Sequence, residues 1–516
     1  MNKTGVLTID STDYKEDGGF FIKFTAQASD CICNPPSFKE SCGNNLNNQK
    51  SFEYTIKLNK SDIEWEIIIL IIILVSTVMI FAMVMHFYFT IKSKINHRWN
   101  AIALLKSIPT PKHEKFLDKM CLNEDKKAVI FQQNDLYIWM VLLMGITYLI
   151  PAFQLVIKYQ DIMRTSGNQN TCYYNYLCST SINYRFNFNH IFSNVGYIIF
   201  GLSFFIIVGF KHFWYVKAKN CMTENGEKNG IPQYFGIYYA LAFALIAEGL
   251  LSACFHVCPT RENFQFDTTF MYVTAVLLIV KIYQFRHPDI SANAYKVFFG
   301  MSIVVFLNVI GINSHSNTYF WICFSFIQIY VMMKLSSILY NNGKWYQPWQ
   351  ECHLLKRCKD QDFKPKNNSK MQMTFVMGFN VINFGLLIFG ICKHSTLTVP
   401  NYFLFLFISN LMIYFFYYCC MKIVHKEPIP TIGYILAIMA IACWIPALNY
   451  FNSKQKTTMV SPSVSRDMNE ECTIGIFDKH DLWHFLSAAG LFLNFLFLLV
   501  IDDGIMDKPR NEIPIF

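Results

Sequence analysis

Charge is scarce in this 516-residue chain: Asp, Glu, Lys and Arg together make up 15% of it, against roughly 25% in an ordinary soluble domain. So few charges could not cover a water-facing surface for a chain of this size. The same scarcity excludes intrinsic disorder and a long coiled coil. No CxxC pair occurs among the 17 cysteines, and their scatter suits neither a zinc ribbon nor a small disulfide scaffold. The first twenty residues, MNKTGVLTIDSTDYKEDGGF, contain no apolar h-region. No signal peptide is therefore expected, and the first long apolar run is expected to target the membrane itself. What is abundant is apolar: 53% hydrophobic and 17% aromatic residues. The expectation is a mostly α, polytopic membrane protein.

Apolar runs long enough to cross a hydrocarbon core of roughly 30 Å recur at 64–91, 134–158, 188–210, 234–258, 265–284, 294–313, 316–340, 374–392, 401–423, 430–450 and 482–502. About eleven transmembrane helices follow, with the two termini on opposite sides. Before them, residues 1–62 are polar and hold two alternating stretches, Phe20–Gln27 and Phe52–Leu58, that read as strands. Two strands cannot bury a stable core, so 1–62 reads as the remnant of a β-rich extracytoplasmic domain. Residues 63–505 form the transmembrane domain, 92–133 and 341–373 its long cytosolic loops, and 506–516 a cytosolic tail. Orientation comes from loop charge. With the N-terminus outside, the inside loops and tail carry roughly 25 Lys and Arg, and the outside loops after the first span about 8. The formal net charge of +9 is thus largely a topological signature of cytosolic loops. The N-terminal segment, with about as many acids as lysines, does not read as a nucleic-acid surface on charge alone.

Chemistry-bearing residues gather at one membrane face. Glu248, Ser252 and His256 in AEGLLSACFHVCP stand i, i+4, i+8 on one stripe of the fourth span. Asp267 opens the fifth span, and His480 and His484 in DKHDLWHFLS are again i, i+4 at the start of the last. Ionisable groups inside a span are costly and default to function. The alternating direction of the spans brings all these groups to the outer face. Three His ligands with an open fourth position make a catalytic zinc pattern. A structural zinc tying the fourth span to the eleventh is the alternative, and a Ser–His hydrolytic pair a weaker rival.

EGLLSACFHVCPTRENFQFDTTFMY and KIYQFRHPDISANAY, together with GNQNTCYYNYLC, SNVGYIIFG and HDLWHFLSAAGLFLNFLFLLVIDD, resemble the systemic-RNAi-defective (SID) transmembrane family over nearly the whole chain. The resemblance implies eleven transmembrane helices and a β-rich extracellular or luminal domain. It also implies a link to double-stranded RNA transport and to cholesterol. The membrane domain of that family is similar to alkaline ceramidases and adiponectin receptors, in which Ser, His, Asp and HxxxH residues form a zinc site. Carried onto this chain, His256, His480 and His484 become the Zn²⁺ ligands, with Asp267 and Ser252 as the catalytic groups beside them and Glu248 and Asp481 in support. The departure is at the N-terminus. The family pattern there includes a signal peptide and a larger ectodomain to which RNA binding is ascribed, and 1–62 matches neither.

Several smaller expectations complete the reading. Cys172 and Cys178 bracket YYNYL in an outer loop and are expected to form a disulfide, with Cys258 and Cys472 on the same side as a second pair. Val84, Tyr88 and Lys92 fit a loose cholesterol-contact pattern. Asn2 and Asn59 lie in outer glycosylation sequons, and Asn367 in a cytosolic sequon that should stay bare. Asn189 and Asn194 read as hydrogen-bonding glue between helices. Expected partners are membrane lipid, cholesterol, double-stranded RNA and, in a homodimer, a second copy of the chain. The expected site of action is the plasma membrane or a lysosomal or endosomal membrane. Two function classes stay open: a SID-type protein for RNA or sterol transport, and a zinc-dependent intramembrane lipid hydrolase of ceramidase or phospholipase type.

Overall fold

The computed structural model describes residues 124–166, 172–182, 186–220, 229–287, 294–313, 318–340, 370–393, 397–452, 460 and 462–516. The expected first span at 64–91, the segment 1–62, the Val84/Tyr88/Lys92 pattern and all three sequons lie outside these residues. The described chain is a helical bundle: α1 (Glu124–Ser166), a short α2 (Phe188–Phe192), α3 (Val195–Asn220), α4 (Gly236–Val257), α5 (Phe264–Arg286), α6 (Ala294–Asn313), α7 (Thr318–Tyr340), α8 (Lys370–Cys392), α9 (Val399–Val424), α10 (Thr431–Asn452), α11 (Pro462–Asp467) and α12 (Lys479–Val500). Ten of these segments are long and apolar enough to cross a membrane, one for each expected span from 134–158 onward. Two details differ from the sequence reading. Helix α1 begins ten residues ahead of its span, at Glu124, inside what reads as loop. The span from 188 breaks at Ser193 and Asn194 into α2 and α3. Among the described residues the one two-stranded ladder is β1 (Ser181–Ile182) paired antiparallel with β2 (Phe186–Asn187).

Burial is uneven, and that sorts the helices. In α4, α5 and α12, 67%, 72% and 72% of the most apolar window is buried, whereas α1 and α6 through α10 bury only 17–28%. Helix α4 packs on α1, α3 and α5; α12 packs on α10 and α3; α9 packs on α5. Close approach depends on small residues, as it does between membrane helices generally. A Cβ at Gly249 would come within 2.8 Å of Ile198 and 3.0 Å of Tyr197, and one at Gly490 within 2.9 Å of Trp444. Trp139, Phe299, Phe326 and Phe416 stand exposed on the outer helices, where hydrocarbon rather than water is the expected neighbour.

One end of the bundle is held covalently. The sequence reading paired Cys172 with Cys178; the structure bonds Cys172 to Cys258 and Cys178 to Cys472. The same four cysteines are used with partners exchanged. The physical reason is that 172–178 does not close on itself but lies across the bundle end. Tyr173 N donates to Pro259 O at 2.9 Å and the Tyr174 hydroxyl donates to Val257 O, fixing Cys172 at the end of α4. Asn175 donates to Asp478 at 2.8 Å, fixing Cys178 beside the start of α12.

The opposite end is held by charge. Arg286 makes a two-point pair with Glu427 at 2.5 and 3.0 Å and reaches Asp502 at 3.2 Å. Lys422 joins the same two carboxylates at 3.1 and 2.7 Å, and Tyr418 donates to Asp502 at 2.5 Å. Residues after α12 fold back over this cluster, with Phe516 stacked on the Arg286 guanidinium at 4.5 Å and Arg510 donating to Gly230 O at 2.9 Å. Lys211 pairs with Asp503 at 2.9 Å alongside.

Peptide mapping of non-reduced protein should find Cys172 linked to Cys258 and Cys178 to Cys472. A 172–178 cross-link would overturn this pairing, and loss of either bridge should cost about 2–5 kcal/mol. Asp502→Ala strips Arg286 and Lys422 of a shared partner in a buried site. The expected loss is about 3–5 kcal/mol, read as a lowered unfolding temperature in detergent. An unchanged midpoint would show that the cluster contributes nothing net.

Candidate metal centre

The site is assembled at the disulfide-bonded end, where α4 finishes and α12 begins. Asp478 caps α12: its Oδ1 accepts from His480 N at 2.8 Å and Asp481 N at 3.0 Å, while Asp481 Oδ2 accepts from Asp478 N at 3.1 Å. That reciprocal cap fixes where the helix starts and sets His480 in its first turn, with His484 one turn on. His256 is in the last turn of α4. The three imidazoles converge: one ring nitrogen from each lies within 4.8 Å of the other two. Nε2 of His256 is 3.0 Å from Nε2 of His484. His256 and His484 are buried and His480 is half-buried. Asp267, at the start of α5, accepts a hydrogen bond from Ser252 on α4, and both side chains are buried. The carboxylate is not one of the groups within ligand distance of the three nitrogens.

Other residues fall into different places. Asp481 faces His190 of α2 at 3.0 Å, not the three-His cluster. His190, Asp478 and Asp481 form a second close group of ligand-type atoms. Glu248 is buried two turns before His256, and among the described residues no donor reaches its Oε2. Asn189 does join elements: its amide donates to Cys178 O at 3.0 Å, Ile476 O at 3.1 Å and Asp481 at 3.3 Å. Asn194 instead bonds back to His190 O at 3.0 Å. Above the cluster, burial raises the Tyr174 phenol well above its ordinary pKa, which keeps it a donor to Val257 O. Burial, opposed by Arg466, moves Tyr176 up to about 12.

His190, Asp478, Tyr197 and Ser487 were not among the candidates read from the sequence. Tyr197 lies 3.5 Å from His484 Nδ1 and 2.6 Å from Ser487 Oγ. Ser487, at i+3 from His484, and Asp478, a helix-capping Asp three residues before Asp481, carried local signals; His190 and Tyr197 meet their partners across about 290 residues of chain.

A family model described as "dsRNA-gated channel SID-1" matches residues 106–516. "SID1 transmembrane family member 1" of Rattus norvegicus is 35% identical over 413 residues, covering 78% of this chain and 49% of that protein. The Homo sapiens protein of the same name is 34% identical over 411 residues, with the same coverage. "Cholesterol uptake protein 1" of Caenorhabditis elegans is 32% identical over 392 residues, 74% of this chain and 51% of that protein. The chain thus spans about half the length of these relatives. With the match reaching across every described helix, this multi-pass membrane chain belongs to the SID-1 family.

Proposed function

We propose that this chain takes part in the transport of double-stranded RNA across a membrane, with sterol as a second cargo class. The observation that carries the reading is the family match over 106–516, which takes in the whole described bundle; the printed name of the nematode relative adds the sterol. The disulfide-bonded end would face an extracytoplasmic compartment, at the plasma membrane or a lysosomal or endosomal membrane. Two observations support that orientation. Disulfides persist in oxidising compartments, and by sequence the loops expected on the other side of the membrane are the Lys- and Arg-rich ones. A homodimer is part of the same proposal.

The three imidazoles would hold one Zn²⁺. Zinc accepts imidazole nitrogen at roughly 2.0–2.1 Å in tetrahedral geometry, which asks for nitrogens about 3.4 Å apart. The 3.0 Å between His256 and His484 is within a few tenths of that, and three neutral nitrogen donors suit the ion. When bound, zinc supplies Lewis acidity toward a carbonyl or a water. A second reading, hydrolysis of a lipid amide or ester, draws on the Ser252–Asp267 hydrogen bond next to the imidazoles. There Asp267 would take a proton from the attacking water with its remaining oxygen. Ser252 would hold that carboxylate in place.

The test combines metal content, uptake and hydrolysis. Purified protein should carry one zinc per chain, lost in His256→Ala and His484→Ala, and cells expressing the wild-type chain should gain uptake of labelled double-stranded RNA over cells without it. Absence of that gain defeats the transport reading. Asp267→Asn should leave uptake intact; if it also abolishes release of fatty acid from ceramide or phospholipid by a factor of about 10²–10⁴, the hydrolase reading stands beside it. No release by the wild type removes that reading. For topology, a tag after Phe516 should be reached by antibody only in permeabilised cells, and labelling of intact cells would invert the orientation.

A further inference from the structure

We propose that Tyr197 and Ser487 set the tautomer of His484, so that its Nε2 presents a lone pair to the three-imidazole centre; the proposal rests on the zinc reading above. The argument is a count of hydrogens. Ser487 has one hydroxyl hydrogen, and its Oγ lies 2.6 Å from Trp483 O and 3.3 Å from His484 O. A carbonyl can only accept, so that hydrogen is committed to the backbone of α12. Tyr197 Oη lies 2.6 Å from Ser487 Oγ and must therefore be the donor there, which uses the one phenolic hydrogen. What remains to Tyr197 is an accepting lone pair. Among the described residues its other hydrogen-bonding neighbour is His484 Nδ1 at 3.5 Å, which places the proton on Nδ1 and leaves Nε2 a lone pair. The chain runs one way: His484 Nδ1–H to Tyr197, Tyr197 O–H to Ser487, Ser487 O–H to Trp483 O.

The surroundings leave little room for another arrangement. Tyr197 is 2% exposed, His484 2% and Ser487 1%, so bulk water has little access to replace a missing link. The phenol and imidazole rings meet edge to face at 5.9 Å. Helix α4 comes so close at Gly249 that a Cβ there would press within 3.0 Å of Tyr197 Cβ, which pins the base of the tyrosine side chain. A metal-ligating imidazole characteristically gives its second N–H to such a partner, and loss of the partner weakens metal binding. Tyr197 and Ser487 are positioning residues, acting through His484.

Zinc affinity of the purified full chain in detergent, measured by competition with a chelator of known affinity, tests this. Tyr197→Phe should weaken zinc by about 10–100-fold while the metal-free unfolding temperature stays near that of wild type. Ser487→Ala should also weaken it, because the freed phenolic hydrogen can then turn to Nδ1 and favour the wrong tautomer. Ser487→Thr, which keeps the hydroxyl, should restore affinity. Unchanged affinity in Tyr197→Phe and Ser487→Ala overturns the proposal and leaves the zinc reading standing. Loss of affinity that only follows a matching loss of metal-free stability, without rescue by threonine, reduces the pair to packing and also overturns it. A wild-type chain that holds no zinc defeats both readings together.

Discussion

An ionisable group inside a bilayer has to find its partner within the protein, because hydrocarbon offers none. That requirement arranges the bundle. Most of its buried charge sits on or beside α4, α5 and α12, the helices with protein on most sides, and it collects at their two ends. At one end His256, Asp267, His480, Asp481 and His484 crowd together; at the other Arg286, Lys422, Glu427 and Asp502 neutralise one another in pairs. The lightly buried helices show the contrasting rule. Between α7, α8 and α9, neutral polar side chains meet in matched sets, as Tyr402 does with Gln328 at 2.6 Å and Asn383 with Asn410 at 2.8 and 2.9 Å.

The centre is prepared by covalent and backbone devices before any ion is considered. The Cys172–Cys258 bridge holds the 172–178 loop to the end of α4, and the Cys178–Cys472 bridge holds it to the segment leading into α12. Asp478 then does two things with its two oxygens: one starts α12, the other accepts from Asn175 of that loop. His480 and His484 inherit their positions from this cap, and Asp481, needed for the same cap, is also the partner of His190. A site ordered in this way loses little conformational entropy when it takes up a ligand.

The ten described spans were legible because length and hydropathy alone decide them. His480 and His484 were legible because i, i+4 is a property of a single helix, and His256 and Asp267 because alternating spans bring their ends to one face. Cysteine pairing was not legible. Cys172 and Cys178 look like natural partners along the chain, and only the course of the loop shows that each has a nearer neighbour elsewhere. Likewise nothing around His190 or Tyr197 announces a partner on α12, nor does the sequence near Arg286 announce Asp502. Contacts formed across more than two hundred residues depend on which helix lies between which, and a single sequence does not encode that in any local pattern.

Rigidity is therefore shared out unequally. Two disulfides tie the end of α4 and the segment before α12 to the 172–178 loop, and at the other end a network of full charges joins α5, α9, α3 and the residues after α12, each buried pair of which costs about 3–5 kcal/mol to break from one side. The α7–α9 sector is joined by neutral side-chain hydrogen bonds such as Gln328–Tyr402, Ser336–Asn380 and Asn383–Asn410. Bonds of this kind between membrane helices are worth about 0.6–2 kcal/mol each. Any rearrangement of the bundle is thus least costly for α7 and α8, since α9 is anchored at one end by Lys422. The three imidazoles sit where rearrangement is most costly.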